Sequence, residues 1–220
     1  MIRGIMIRKL SILCLSILFC GSVALAADSA GNRKDQMVRL GIKTGIHLMY
    51  LVTAPFVLEV PGEDWTFGLV YGSGDLTTTT TSTTYDSSSG YETVTVTDTL
   101  NFNTTELTGR YYFGNSFNIP FGLAMYNISK DNWKHSDGTT WDLDYKMTQL
   151  NVGVGNDWTF DWGGYIAADW FQAGAKISDK VTVKQTGGDV SSSSTTSAEK
   201  ESTDVNAFAG AVIVTFGFGF

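Results

Sequence analysis

The sequence predicts an all-β chain, an antiparallel up-and-down transmembrane β-barrel of eight strands, and three observations carry that prediction. First, the last fifteen residues alternate strictly: Phe208, Gly210, Val212, Val214, Phe216, Phe218 and Phe220 on one face, with Ala209, Ala211, Ile213, Thr215, Gly217 and Gly219 on the other. A strand sends successive side chains to opposite faces, so one face is large and apolar and the other small, which suits a narrow packed interior and a lipid exterior. Second, the connections alternate between short and long. Third, no run after residue 26 reaches the roughly 20 apolar residues of a membrane helix, so a membrane-embedded mature chain must close its backbone hydrogen bonds as a barrel.

The N-terminus is set aside first. Arg3, Arg8 and Lys9 precede the apolar run Leu10 to Phe19, and Ala24-Leu25-Ala26 has the small-x-small pattern of a signal-peptidase site, so residues 1–26 are expected to be a signal peptide cleaved after Ala26. The apolar run is short for a retained anchor, and Phe19 before Cys20 is a poor context for lipid attachment. Residues 27–36 are then a short periplasmic segment and residues 37–220 the barrel. Both cysteines, Cys14 and Cys20, leave with the leader, so the mature chain has no disulfide. With Arg3, Arg8 and Lys9 gone, 12 basic residues face 22 acidic ones, a formal charge of −10 that argues against a nucleic-acid partner.

The strands follow in order from the parity of their apolar residues. Val38, Leu40 and Ile42 alternate with Arg39, Gly41 and Lys43, which makes either a short first strand ending in a hairpin at Lys43-Thr44-Gly45 or the start of one longer strand. From Ile46 the even positions Leu48 to Val60 are apolar, with His47, Thr53 and Glu59 on the other face, up to a turn at Pro61 to Asp64. Trp65, Phe67, Leu69 and Tyr71 form the outer face of the next strand. Residues 100–113 set Leu107, Tyr111 and Phe113 against Glu106, Thr108 and Arg110. After a turn at Gly114 to Ser116, Phe117, Ile119, Phe121, Leu123 and Met125 alternate with small or polar residues. Residues 143–156 place Leu150, Val152 and Val154 opposite Gln149 and Asn151. Residues 162–177 put Asp169 inward and Trp170 outward, and residues 205–220 close the barrel.

Tight turns are expected near Pro61, near Asn115 and at Asp157 to Asp161, against long loops at 77–99 and 178–204 and an intermediate one at 131–142. Outer-membrane barrels put short turns in the periplasm and long loops outside. The long loops are Ser/Thr-rich (Thr77 to Thr84, Ser87 to Ser89, Ser191 to Ser197), and Glu92 to Thr99 has the composition to extend a hairpin beyond the membrane.

The alternating C-terminal aromatics ending in Phe220, the turn in Tyr111-Tyr112-Phe113-Gly114-Asn115-Ser116-Phe117, and Gly155-Asn156-Asp157-Trp158 leading to Ala168-Asp169-Trp170 resemble small eight-stranded outer-membrane proteins of the OmpA/OmpW-like barrel class. The resemblance implies a bacterial outer-membrane location. It also implies passage with periplasmic chaperones and insertion by the barrel-assembly machinery, which would read Val212, Val214, Phe216, Phe218 and Phe220 as both assembly signal and lipid face.

Candidate chemistry is confined to the lumen. Glu106, Arg110 and Asp169 share the inner face and are expected to form a buried charge network filling an interior just wide enough for side chains. Catalysis is not expected, because the two histidines are far from a nucleophile: His47 lies twelve residues from Glu59, roughly 40 Å along one extended strand, and His135 falls in the 131–142 loop. Neither a cofactor nor a metal is expected. The sequence leaves a non-enzymatic surface module, whose extracellular ligand is unknown, beside a narrow porin-like channel as the alternative.

Overall fold

The computed structural model describes residues 28–86, 90–134, 140–187 and 207–220. The expected leader, Ser87 to Ser89, His135 and the Ser191 to Ser197 run lie outside these residues. Eight strands, β1 (Arg39–Ile46), β2 (Phe56–Pro61), β3 (Trp65–Asp86), β4 (Gly90–Tyr112), β5 (Phe117–Lys134), β6 (Thr140–Thr159), β7 (Gly164–Gly187) and β8 (Gly210–Gly219), pair in chain order and close as a barrel. Every pair is antiparallel, and β1 meets β8 from Arg39↔Gly219 to Ile46↔Ala211. The closing ladder reaches the last residue, since Phe220 N–H donates to Val38 O at 2.9 Å and Phe220 O accepts from Met37 N–H at 2.6 Å.

Among the described residues two short helices accompany the strands, α1 (Ser29–Lys34) below the short turns and α2 (Leu48–Thr53) between β1 and β2. The second replaces the strand that even parity predicts over residues 46–60. β1 runs through Lys43 to Gly45, so the predicted hairpin there does not form, and the chain turns back through α2 and Pro55 instead. The reason is visible in the residues: Met49 and Leu51 are as apolar as their even neighbours, so the segment satisfies a helical period equally well. As a helix it buries Met49, Tyr50 and Thr53 inward and leaves Leu48 and Leu51 exposed, ending at Ala54 with φ 39°.

The long connections carry more strand than a loop assignment allows, and Glu92 to Thr99 extends a hairpin as its composition predicts. Residues 77–86 and 90–99 continue the ladder that runs from Trp65↔Tyr111 to Asp86↔Gly90, a hairpin extension, and β7 carries through residues 178–187 paired with β6, so these stretches are strand rather than loop. β-branched threonine favours this pleated geometry, and the Thr77 and Thr99 hydroxyls hydrogen-bond across the ladder at 3.0 Å. The third tight turn lies at Phe160 to Gly163, with Gly163 at φ 92°, so Asp157 belongs to β6 and points inward.

Inside and outside have inverted polarity. The outer wall shows Phe56, Phe67, Leu107, Leu150, Val152, Phe216 and Phe218 exposed, while Arg39, Glu59, Glu106, Arg110, Asp157 and Asp169 are buried within. Around the short-turn end Trp65, Tyr111, Phe113 and Phe117 form a chain of ring contacts at centroid distances of 4.4 to 6.2 Å. Phe208, read from sequence as lipid-facing, turns inward. Val212 adopts φ 50° at a register shift against β1, and the extra residue moves everything before it to the opposite face.

Candidate functional site

The lumen is a stack of side chains supplied by inward positions of every strand and closed by a helix at each end. Four cations, Arg33, Arg39, Lys43 and Arg110, and four carboxylates, Glu59, Glu106, Asp157 and Asp169, are buried there among the described residues. The charges balance, as a low-dielectric interior requires.

At the short-turn end, α1 acts as a stopper. Arg33 is fully buried, donates to the carbonyls of Gly62 (3.0 Å), Glu63 (2.7 Å) and Asn115 (3.3 Å), and lays its guanidinium 3.4 Å from the Tyr112 ring centroid. One side chain therefore ties α1 to two of the three short turns. Ser29 links it to β6, with Oγ donating to Asp157 O at 3.0 Å and accepting from Thr159 N–H at 2.8 Å. Burial pulls the Arg33 guanidinium below its ordinary value, whereas Lys34, exposed and hydrogen-bonded to Glu63 at 3.1 Å, is raised.

Above α1, Arg39 donates to Asp157 Oδ2 at 2.8 Å, to Gln36 Oε1 at 2.7 Å and to Thr159 Oγ1, and the Tyr112 hydroxyl donates to the same Asp157 oxygen at 2.7 Å. One level higher, Arg110 grips Asp169 through Nη1 (2.5 Å) and Nη2 (3.1 Å), with Glu59 Oε1 3.7 Å from its Nε and Asn118 Oδ1 accepting from Nη1 at 3.1 Å. Glu59 lies between the two arginines, 4.0 Å from Arg39 Nη1. At the next level Glu106 accepts from Lys43 Nζ (3.2 Å), the Tyr50 hydroxyl (2.7 Å) and Asn151 Nδ2 (3.1 Å).

The top is apolar. Met49 and Tyr50 of α2 pack with Phe102, Ala124, Tyr126, Tyr145, Met147 and Ile213. His47 stacks on Tyr50 at 4.2 Å and meets Phe208 edge-on at 6.0 Å, with neither ring nitrogen hydrogen-bonded.

Sequence parity puts Glu106, Arg110 and Asp169 in the lumen, and all three are there, but the structure divides them. Arg110 and Asp169 form one bidentate pair, while Glu106 belongs to a separate set with Lys43, Tyr50 and Asn151. Arg39, Lys43, Glu59 and Asp157 were not singled out from sequence. The first three had a signal, since each sits opposite the apolar residues of its run, and Asp157 was hidden by its assignment to a turn. Glu59 faces the arginines, not His47, and among the described residues no group of three His, Cys, Asp or Glu could hold a metal ion. The closing strand presents Val212, Val214, Phe216, Phe218 and Phe220 on the outside, with Ile213 and Thr215 buried beneath.

The closed eight-strand antiparallel barrel is the architecture that the resemblance to OmpA/OmpW-like proteins implies. No protein-family model matches the chain, and no curated protein matches it either. Among solved structures, the crystal structure of Acinetobacter baumannii CarO is similar at 12% identity, covering 86% of this chain and 99% of that one with a TM-score of 0.36. The barrel is read from this chain's own strand pairing.

Proposed function

We propose that this protein is a non-enzymatic integral outer-membrane barrel, exported with a leader cleaved after Ala26, whose plugged interior makes it a rigid support for surface-exposed hairpins. The observation that carries this reading is the lumen. α1, three levels of ion pairs and the α2 aromatic plug stand in series, and none of the eight buried charges is left without an opposite partner or hydrogen bonds. The exposed apolar band supports lipid as the surrounding solvent, and the short turns then face the periplasm with α1. The C-terminal strand is the segment offered to the barrel-assembly machinery. A narrow channel for small polar solutes is the competing reading, favoured only by the polarity of the lumen.

Planar-bilayer recording of the refolded full chain tests the choice. Silent membranes at physiological voltages are expected, and a steady ohmic conductance altered by Glu106→Gln or Arg110→Met would establish the channel instead. The surface role is tested by replacing residues 78–98 with a two-residue turn, which leaves the Thr77↔Thr99 rung in register. The barrel should fold and lose cell-surface binding; unchanged binding would refute the hairpin's part.

A further inference from the structure

Four adjacent strands carry an abrupt change of polarity on their outer faces. Leu107, Leu123, Leu150 and Ala175 are direct cross-strand neighbours on β4 to β7. One step toward the long hairpins the row becomes Thr105, Met125, Thr148 and Ser178, and one step further it is Asn103, Asn127, Lys146 and Lys180. These two rows, polar except at Met125, line a groove of about 560 Å³ on the wall together with Asp179, within the size range of small-molecule sites. A register shift at Thr148/Gln149 interrupts the wall beside it.

Lys146 and Lys180 lie directly opposite each other, an arrangement that destabilises a sheet unless an anion separates the charges. Asp144 is 3.0 Å from Lys146 and offsets part of this, and the Asp179 carboxylate is engaged by Lys176 at 3.1 Å. Among the described residues Lys180 has no ion pair. We infer that this groove binds the phosphorylated headgroup of an outer-leaflet glycolipid. The lysines meet phosphate, the amides and hydroxyls of Asn103, Asn127, Thr105 and Ser178 meet sugar hydroxyls, and the acyl chains run down the wall across the leucine row. A free anion would gain nothing from that apolar continuation, which is why a lipid is the occupant. The inference rests on the outer-membrane reading above.

The full-length chain is reconstituted into phosphatidylcholine vesicles with or without a rough-type phosphorylated glycolipid, and native mass spectrometry counts the lipid retained after gentle detergent release. Wild type and Lys34→Gln, altered at the opposite end, should retain the glycolipid, and Lys146→Arg/Lys180→Arg should match them. Lys146→Gln/Lys180→Gln should bind about tenfold more weakly while keeping heat-modifiable folding. Equal retention by the glutamine variant, or displacement of the lipid by an equal concentration of inorganic phosphate, would overturn the site. Failure of the wild type to insert into either vesicle would instead overturn the membrane reading, and the site with it.

Discussion

Replacing Arg110 with methionine separates a dry, plugged lumen from a wet one. Arg110 is 2% exposed and Asp169 1%, and the guanidinium makes two contacts to that carboxylate at 2.5 and 3.1 Å. Methionine fills much of the same volume but strands Asp169 in the barrel. Glu59 retains Arg39 at 4.0 Å, so the cost falls mainly on one carboxylate. Breaking a buried pair from one side costs about 3 to 5 kcal/mol, and about 4 kcal/mol is expected here, close to a thousandfold in the unfolding equilibrium. Asp169→Leu should cost a similar amount, because it leaves Arg110 only the Asn118 amide and the more distant Glu59 carboxylate. Arg110→Met/Asp169→Leu removes both charges and should fall far short of the sum, since a buried pair exchanged for apolar side chains is often close to neutral. Urea unfolding of vesicle-inserted protein, followed by tryptophan fluorescence, gives all three values. A single-variant loss below about 1 kcal/mol, or additivity within about 0.5 kcal/mol, would mean that water already solvates Asp169, and the plugged lumen would be refuted.

Arg33→Ala removes the three carbonyl contacts that fix α1 and should cost about 2 to 3 kcal/mol in the same assay, with proteolysis near residue 30 accelerated if the helix detaches. No change in either readout would show that α1 is held by other contacts. His47 buries a ring N–H without an acceptor, so His47→Phe, which preserves stacking on Tyr50, should raise stability by about 1 kcal/mol; a loss of stability would show that the ring nitrogen has a partner. Val214 lies on the outer face of β8, paired with Thr44 and Ala168, and Val214→Arg should cost about 2 to 4 kcal/mol if it sits at mid-membrane. An arginine there that left folding and outer-membrane yield intact would place this strand out of lipid.

Parity made most of the wall legible. The alternation along β4, β6 and β8 assigns Glu106, Arg110, Asn151 and Thr215 to the interior and Leu107, Leu150 and Phe216 to the exterior, and the structure places them so. Parity gives a face and not a height, however. Glu106 and Arg110 share the lumen of β4, yet four residues of strand separate them by about 13 Å, so they pair at different levels with residues that only register could reveal. Register was hidden where the period broke. In Leu48 to Val52 an unbroken apolar run fits helix and strand alike, and at Val212 a single bulge residue reverses the face of everything before it. The length of the outer hairpins was hidden for another reason: polar threonines read as loop by composition and as strand by backbone preference, and the cross-strand ladder decides for the strand.

The serial arrangement of the closures bears on how such a barrel could ever conduct. Detaching α1 exposes the Arg39–Asp157 level to the short-turn side but leaves Arg110–Asp169 and the Lys43–Glu106–Tyr50 set in place above it. Swinging α2 outward removes Tyr50 from Glu106 but leaves both arginine levels below. A pore therefore needs side chains to move at several levels together, and each move uncovers a charge that its partner now holds. Costs that are coupled through shared residues such as Glu59, which lies between Arg39 and Arg110, cannot be met one at a time. Deleting residues 28–36 alone should for that reason leave bilayers silent. Conductance in that variant would show that α1 is the sole seal and that the charged levels above it admit water.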